Sequence, residues 1–596
     1  MTIEGQARDN WAALMGGGGA QDRTPGAPRE SSLPAPAGVT AQVGLGQVTV
    51  SWEPVPAAIG YAVHRSASAD GPFEVVDHGG GDVLAVPHGP YADTTPGRGG
   101  WYAVAALSSV TALGPLSAPV FAGLGALSET VTVSLGSGGV PLPRIWEAMV
   151  GSEHLSHLLS SDSTGGEVIG PALLDALRRV HDELGVRSVR AHHILGDDVG
   201  VYREVSGSPV HDFSRVDEIY DLVLAAGLTP VVEFGYMPRD LARDPSRTVF
   251  TYRGIISPPR DWDRWAGLIR AFTQHVVDRY GLDEVRSTWW FEVWNEPNLS
   301  VFWSGTPAEY WKLYEVTARA VRDVDPGLRV GGPATAAVGW VEDVPLASSD
   351  FVSTHVYGTL PLDLRPLAQG LPQLWTEWGV TATHRHPIND SVFAAAFLLK
   401  GMQSAAGRID ALAPWVASDH FEELGRPSRL LHGGFGLLTV GNLAKPKFWA
   451  LWLAARLGPV EVPVTLSGDG ADSLITAWAS RYDDGGLGIL LLNSTLDQSR
   501  YSGEPDLLRT VVVRPFLSGP HRLRLWRVDR THGNLAAQFD GEWPSEQEWE
   551  KLRAADRLDE AAPPRRVAPG ADVTVELPNP GIAFLELRPL QVTPSS

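Results

Sequence analysis

Between about residues 140 and 457, short apolar runs alternate with amphipathic stretches of helical period, and this alternation constrains the fold more than any other feature. Eight runs read as strands: 144–150, 187–195, 229–236, 287–294, 328–332, 351–357, 371–377 and 411–418. Strands joined through helices run parallel, and a parallel sheet must be covered on both faces. Eight such units predict a (β/α)₈ TIM barrel, an α/β fold. The stretches between them carry helix signals. Pro171 is expected at the first helical position of a helix that Gly185 closes. Asp261 is expected to cap another, whose apolar stripe is Trp262, Trp265, Ile269, Phe272 and Val276, ending at Gly281. A last helix, about 444–457, has Pro446 in its first turn and stops near Gly458.

The flanks read differently. Residues 1–35 are rich in Gly, Pro and Ser, including four consecutive glycines at 16–19, and are expected to be a flexible leader. From 36 to 122, short alternating strands put Val48, Val50 and Trp52 on one face, as they do Tyr61 and Val63, then Tyr102, Val104 and Ala106. This segment resembles a fibronectin type III β-sandwich, and it is read as a packing or spacer module in preference to an autonomous carbohydrate-binding domain. The barrel is expected over 123–458. A C-terminal β-sandwich is expected over 459–596, from runs at 473–479, 488–492, 510–514, 522–527, 572–577 and 583–587. Within it, 541–569 reads as a surface insertion, helical around 546–555.

Composition removes several function classes. A net charge of −21 argues against nucleic acid and other polyanions as partners. With no cysteine, disulfides, thiolate nucleophiles and thiolate metal sites are excluded. The N-terminus lacks an apolar signal core and no stretch approaches a membrane span, so a cytoplasmic protein without a membrane partner is expected. Homo-oligomerisation stays open.

Chemistry concentrates at two strand ends. The aromatic run 288–294 breaks at Asn295-Glu296-Pro297, and 371–376 leads into Glu377-Trp378-Gly379. In a (β/α)₈ barrel the active site lies at the C-terminal strand ends. The fourth and seventh strands stand three steps apart, so their tips face across the mouth. Two carboxyls about 5–5.5 Å apart are the machinery of retaining glycoside hydrolysis, one as nucleophile and the other as acid, then base. Either glutamate alone could instead form a rim ion pair. His192-His193 with Asp197 and Asp198 superficially suggests metal ligands. Adjacent strand residues point to opposite faces, however, so no metal is expected there.

The segment 290–299, with Trp294-Asn295-Glu296-Pro297 at its centre, resembles the acid/base motif of glycoside hydrolase family 39, the β-xylosidase and α-L-iduronidase family. Further motifs are similar to it: Arg190-Ala-His192, Glu233-Phe-Gly-Tyr-Met-Pro238, Gly331-Gly-Pro333, His355-Val-Tyr357, Thr376-Glu-Trp-Gly379, and Trp415 through Asp419-His-Phe-Glu-Glu423. The resemblance implies Glu296 as general acid/base and Glu377 as nucleophile, with no cofactor. It implies Asn295 as reader of the sugar 2-hydroxyl and Tyr357 as a donor to Glu377. His192 and His355 would be neutral donors to sugar hydroxyls or satisfied core residues, and Trp415 a stacking platform. Arg190 could partner Glu377 from the barrel interior; Glu233 could bind substrate or pair with Arg190. His193 departs from the pattern, where the family's β-xylosidases carry glycine, and is expected to narrow the pocket or add a donor. Without a loop cluster of Arg or Lys to clamp a uronate, the resemblance points to a retaining exo-glycosidase of a neutral sugar, β-xylosidase-like, with a glycoside or oligosaccharide as partner. An arabinosidase or iduronidase, or a catalytically silent carbohydrate-binding scaffold, are the alternatives.

Overall fold

The computed structural model describes residues 29–95, 100–125 and 127–590. The expected leader therefore lies outside the described residues up to position 28. Its last described part is anchored, with Arg29 paired to Glu342 at 3.2 Å and Asp343 at 3.1 Å.

Eight parallel strands form one sheet in sequence order: β1 Val150–His154, β2 Ser188–His192, β3 Thr229–Glu233, β4 Trp290–Glu292, β5 Val330–Thr335, β6 Val352–Tyr357, β7 Gln373–Gly379 and β8 Ala411–Pro414. The seam between last and first is bridged just past β8, where Ala417 N–H donates to the Gly151 carbonyl at 2.8 Å. The expected strands are all present, but the first is displaced. Ile145–Glu147 coils into a 3₁₀ turn that buries Ile145 and Trp146, while the Arg144 guanidinium donates to the Leu457 carbonyl at 2.6 Å. β4 keeps three residues. Its expected start belongs to the helix Leu282–Thr288, whose Ser287 and Thr288 hydroxyls donate back to the Asp283 and Glu284 carbonyls.

The helical signals mostly hold. Asp261 accepts from the Asp263 and Arg264 amides at the start of Trp262–Tyr280, where Trp265, Ile269, Phe272 and Val276 are buried. Gly185 closes Ile169–Leu184 at φ 78°, a conformation that favours glycine. Pro171 is not at the first position of that helix, which begins two residues earlier. Its missing N–H still falls in the first turn, where no intrahelical acceptor awaits it.

The helical ring thins at one side. Only 3₁₀ turns join β5 to β6, and one helical turn, Arg365–Ala368, lies between β6 and β7. The N-terminal β-module packs there: Asp363 N–H donates to the Ile59 carbonyl at 2.8 Å, and Thr111 donates to Glu342 at 3.0 Å. That module comprises a four-stranded and a five-stranded sheet, with Val48, Val50, Tyr102 and Val104 fully buried.

At the C-terminal side, a seven-stranded and a four-stranded sheet enclose a core of residues such as Ile475, Ile489, Val511 and Leu585. Thr130–Leu135, which the expected boundary places with the barrel, pairs antiparallel with Val464–Gly468 and parallel with Arg509–Arg514. The chain thus lays a strand into this sandwich before it builds the barrel. Glu546–Ala555 is helical as expected, opened by a Ser545–Glu548 capping box. Among the described residues no helix is long and apolar enough to cross a membrane.

Candidate active site

The ends of β4, β6 and β7 depart from regular strand geometry where the chemistry sits. After Glu292 the chain turns sharply, with Trp294 at φ 69° and Glu296 at φ 42°, the left-handed region that side chains other than glycine rarely occupy. Packing holds this strained turn. The Trp294 indole is fully buried, donates to the Phe302 carbonyl at 2.9 Å and meets Trp303 edge-on. In the β6–β7 ladder the register shifts between Thr354 and His355, setting His355 opposite Glu377. Such bulges re-aim side chains. As a result, carboxylate oxygens of Glu296 and Glu377 and a ring nitrogen of His355 all lie within 4.8 Å of one another.

Beneath them is Arg190, fully buried on β2. Its guanidinium donates to Glu377 Oε1 at 2.6 Å, Asn295 Oδ1 at 2.9 Å and Glu292 Oε2 at 2.9 Å, and pairs with Glu233 Oε2 at 2.8 Å. Glu233 and Glu292 are register partners on β3 and β4, two carboxyls side by side that one guanidinium joins. The Tyr357 hydroxyl donates to the other oxygen of Glu377 at 2.7 Å. Burial pushes this phenol well above its ordinary range, so it remains a donor. Two donors thereby fix the Glu377 carboxylate plane. The N-terminal module reaches this point as well: Asp82 N–H donates to the Tyr357 carbonyl and Asp82 Oδ2 accepts the Tyr357 amide at 3.1 Å.

Burial raises Glu233 from an ordinary 4.5 to about 7 despite Arg190, and its Oε1 has no hydrogen-bond partner. Below pH 4.5 the carboxyl is protonated folded or unfolded. Between 4.5 and 7 the unfolded chain releases the proton while the folded one keeps it, so stability falls as pH rises through that window. The limit is about 3 kcal/mol. The thermal midpoint is therefore expected to drop between pH 5 and pH 7.5, and to drop less in Glu233→Gln. An unchanged drop in the variant would remove Glu233 as a source.

A second chain of contacts runs from Glu292 to Glu296. The Thr376 hydroxyl donates to Glu292 Oε1 at 2.8 Å and lies 3.1 Å from His355 Nε2, while His355 Nδ1 lies 3.0 Å from Glu296 Oε1. Burial lowers His355 to about 4 and, with Arg190, His192 to about 3, so both rings are neutral near pH 7.

Most expected site residues converge on one cavity, walled by His192, Asn295, Glu296, Tyr357, Glu377 and Trp415 among others. Trp415 packs against His192 at 4.9 Å. Arg190 and Glu233 lie under the cavity rather than on its wall; of Glu233's two readings, pairing with Arg190 is the one observed. His193 is a correction. Its backbone turns to φ 71° as β2 ends, and the ring is carried away to pair with Asp198 at 3.0 Å and pack on Tyr252. It neither narrows the cavity nor donates into it. Conversely, sequence reasoning assigns no role to Glu292, Thr376 or Glu423. An acid inside a fully apolar strand must find a buried cation, and Arg190 inside β2 is the matching signal for Glu292. Glu423 is on the cavity wall, 3.6 Å from His192; burial, with Glu153, Glu377 and Glu296 nearby, pushes its carboxyl well above the usual range. No strand period could place this loop residue.

The family model of glycosyl hydrolases family 39 matches residues 130–365 and 362–562. The chain belongs to glycoside hydrolase family 39. It is a glycoside hydrolase, and the family's mechanism is retaining. Among relatives, a β-xylosidase of Geobacillus stearothermophilus is 36% identical over 52% of this chain and 68% of its own length. The family 39 enzyme of Xanthomonas axonopodis pv. citri superposes with TM-score 0.67 at 28% identity, covering 78% of this chain and 98% of that one. A monomeric β-xylosidase from Caulobacter crescentus CB15 gives 0.66 at 29% identity, over 78% and 100%. The expected barrel with flanking β-domains is thus the architecture of this family 39 chain.

Proposed function

We propose that this protein is a retaining exo-glycosidase of the β-xylosidase type acting on a neutral sugar, with Glu377 as nucleophile and Glu296 as acid/base. The observation that carries the assignment is that a carboxylate oxygen of Glu296 lies within 4.8 Å of one of Glu377. So close an approach fits the retaining arrangement, with carboxyls about 5–5.5 Å apart, better than the roughly 6.5–9.5 Å that inversion needs to admit a water.

Their partners divide the roles. Glu377 is gripped from both oxygens by Arg190 and Tyr357, a fixed carboxylate facing the anomeric carbon. Glu296 instead faces His355. The one Thr376 proton goes to Glu292, so Thr376 accepts from His355 Nε2–H, and the neutral ring then presents a lone pair at Nδ1. A proton on Glu296 completes that contact. In the free enzyme Glu296 is therefore the acid, ready to protonate the leaving oxygen. Once Glu377 has displaced the aglycone, Glu296 has lost its proton and takes one from the incoming water. Asn295, held by Arg190, is placed to hydrogen-bond the sugar 2-hydroxyl.

The neutral sugar follows from the wall. Among its described residues there is no Lys or Arg, and the guanidinium of Arg190 below is engaged by Glu233, Glu292, Asn295 and Glu377. A uronate carboxylate would face Glu423 and His192 without a cation. Loop residues Phe250, Ala382 and Leu424 line the same cavity as the two carboxyls, and this enclosure suits one terminal ring. The relatives named as β-xylosidases support the pentose.

A panel of aryl glycosides (β-D-xyloside, α-L-arabinoside, β-D-glucoside, α-L-iduronide) tests this reading. The xyloside is expected to turn over fastest, and proton NMR to show a first-formed sugar of the substrate's anomeric configuration. A first-formed inverted anomer would overturn retention, and a preference for the iduronide would overturn the neutral sugar.

A further inference from the structure

Next to the active site, the end of β1 and the 3₁₀ turn Leu155–Leu159 bring together Glu153, His154 and His157, from the sequence Glu153-His-Leu-Ser-His157. The catalytic network does not use them. Their residues are 2%, 5% and 7% exposed, and one donor atom of each, all three within 4.8 Å, forms a compact set. Glu153 Oε1, His154 Nε2 and His157 Nδ1 are buried without hydrogen-bond partners. Leaving two ring nitrogens unsatisfied beside one buried carboxylate is costly, and their convergence on Glu153 Oε2 points to a ligand.

Neighbouring groups prepare these atoms as lone-pair donors. Ser156 donates its hydroxyl proton to Asp198, at 2.5 Å, so it accepts from His154 Nδ1 at 2.7 Å. The His154 proton is thus on Nδ1, and Nε2 carries a free lone pair. On His157, Nε2 faces Glu422 at 3.5 Å and Nδ1 faces Glu153 Oε2 at 3.6 Å, so a cation bound at Nδ1 takes the place of a ring proton. A carboxylate behind His157, and a serine backed by a carboxylate behind His154, are outer partners of the kind that orient metal-binding histidines. His154 Nε2 and His157 Nδ1 lie 3.9 and 3.6 Å from Glu153 Oε2, beyond hydrogen-bond reach. Around a tetrahedral ion with bonds of about 2.0–2.1 Å, donor atoms are roughly 3.4 Å apart, and the two nitrogen–oxygen separations need only a slight contraction to reach it.

Alternation along a strand would send Glu153 and His154 to opposite faces. Here the β1–β2 register shifts between Ser152 and His154, and the bulge cancels the alternation. No bulge does this for His192 and His193, whose rings serve separate clusters.

We propose that Glu153, His154 and His157 form a binding site for a divalent cation of the zinc class, with a fourth position open to water. Two imidazoles and one carboxylate favour such borderline ions over magnesium or calcium, which take oxygen sets. The site would clamp the end of β1 to the loop after β8, since Glu153 Oε2 already accepts the Glu422 amide at 2.6 Å and the next residue, Glu423, is on the cavity wall.

The test uses the full chain, free of any affinity tag, stripped with chelator and then titrated with Zn²⁺. About one zinc per chain is expected to survive desalting, with the thermal midpoint raised by roughly 2 °C at a hundredfold excess over Kd. Ser156→Ala, which removes the group orienting His154, is expected to weaken binding roughly tenfold or more. His154→Ala/His157→Ala is expected to abolish it. Zinc content near zero in the wild type, or equal uptake by the double variant, would overturn the proposal. Should the double variant not fold, zinc-edge X-ray absorption of the loaded wild type decides: a shell with two imidazoles supports the site, and one without them overturns it.

Discussion

Alanine at Glu377 is expected to stop turnover of every glycoside, activated or not, by roughly 10⁵-fold, because the first displacement has lost its nucleophile. The neighbouring carboxyls are poor substitutes: Glu233 and Glu292 are under the cavity and committed to Arg190, while burial and its acidic neighbours push Glu423, on the wall, well above the usual range and so favour its unreactive protonated form. The variant leaves that guanidinium and the Tyr357 hydroxyl without one acceptor each, so some loss of stability is expected and a thermal midpoint should be recorded alongside. Glu377→Gln keeps the size of the side chain and one acceptor oxygen, which can stay on Arg190 while its amide N–H turns to the Tyr357 hydroxyl oxygen, and so separates chemistry from folding. Sodium azide should then restore activity on an activated aryl glycoside. Its product should be a glycosyl azide of inverted anomeric configuration, since azide attacks directly from the vacated face. A product of retained configuration would mean that Glu296 is the nucleophile.

Glutamine at Glu296 should instead produce a loss that depends on the aglycone. A poor leaving group such as a second sugar needs protonation, and loss of general acid catalysis costs roughly 10²–10⁴-fold. A dinitrophenyl glycoside departs unaided and its first step should be nearly unaffected, with the second step becoming limiting. Azide should accelerate that second step and give a product of retained configuration, because it attacks the glycosyl-enzyme. Equal losses on both substrates would count against the acid role. Thr376→Val offers a subtler probe of the same proton. Without its hydroxyl, His355 Nε2 loses the acceptor that sets its tautomer, and the pH profile of kcat/KM should move while the leaving-group dependence stays near that of the wild type.

The two glutamates are legible in the amino-acid order, for a physical reason. An acidic residue at the end of an apolar strand has nowhere to be except the strand's mouth, and the barrel places mouths four and seven opposite each other. Asp261 and Gly185 are legible too, because caps depend on the backbone within a few residues. Features set by distant pairing are not. That Thr130–Leu135 lies in the C-terminal sheet depends on Arg509–Arg514, nearly 380 positions away. The pocket role expected of His193 fails because strand periodicity says nothing of a backbone that turns to φ 71° at the strand's end.

By itself the sequence determined the barrel, the two glutamates and the family, since these rest on local period, strand-end chemistry and contiguous motifs. Only the tertiary structure shows that the surroundings of the two carboxyls differ. That distinction depends on Arg190 and Tyr357 reaching Glu377, and on the Glu292–Thr376–His355 chain reaching Glu296. It also decided that Glu153 and His154 face the same point. Each of these contacts joins residues from different strands or depends on a bulge between them, and their distances exist only once the sheet has closed.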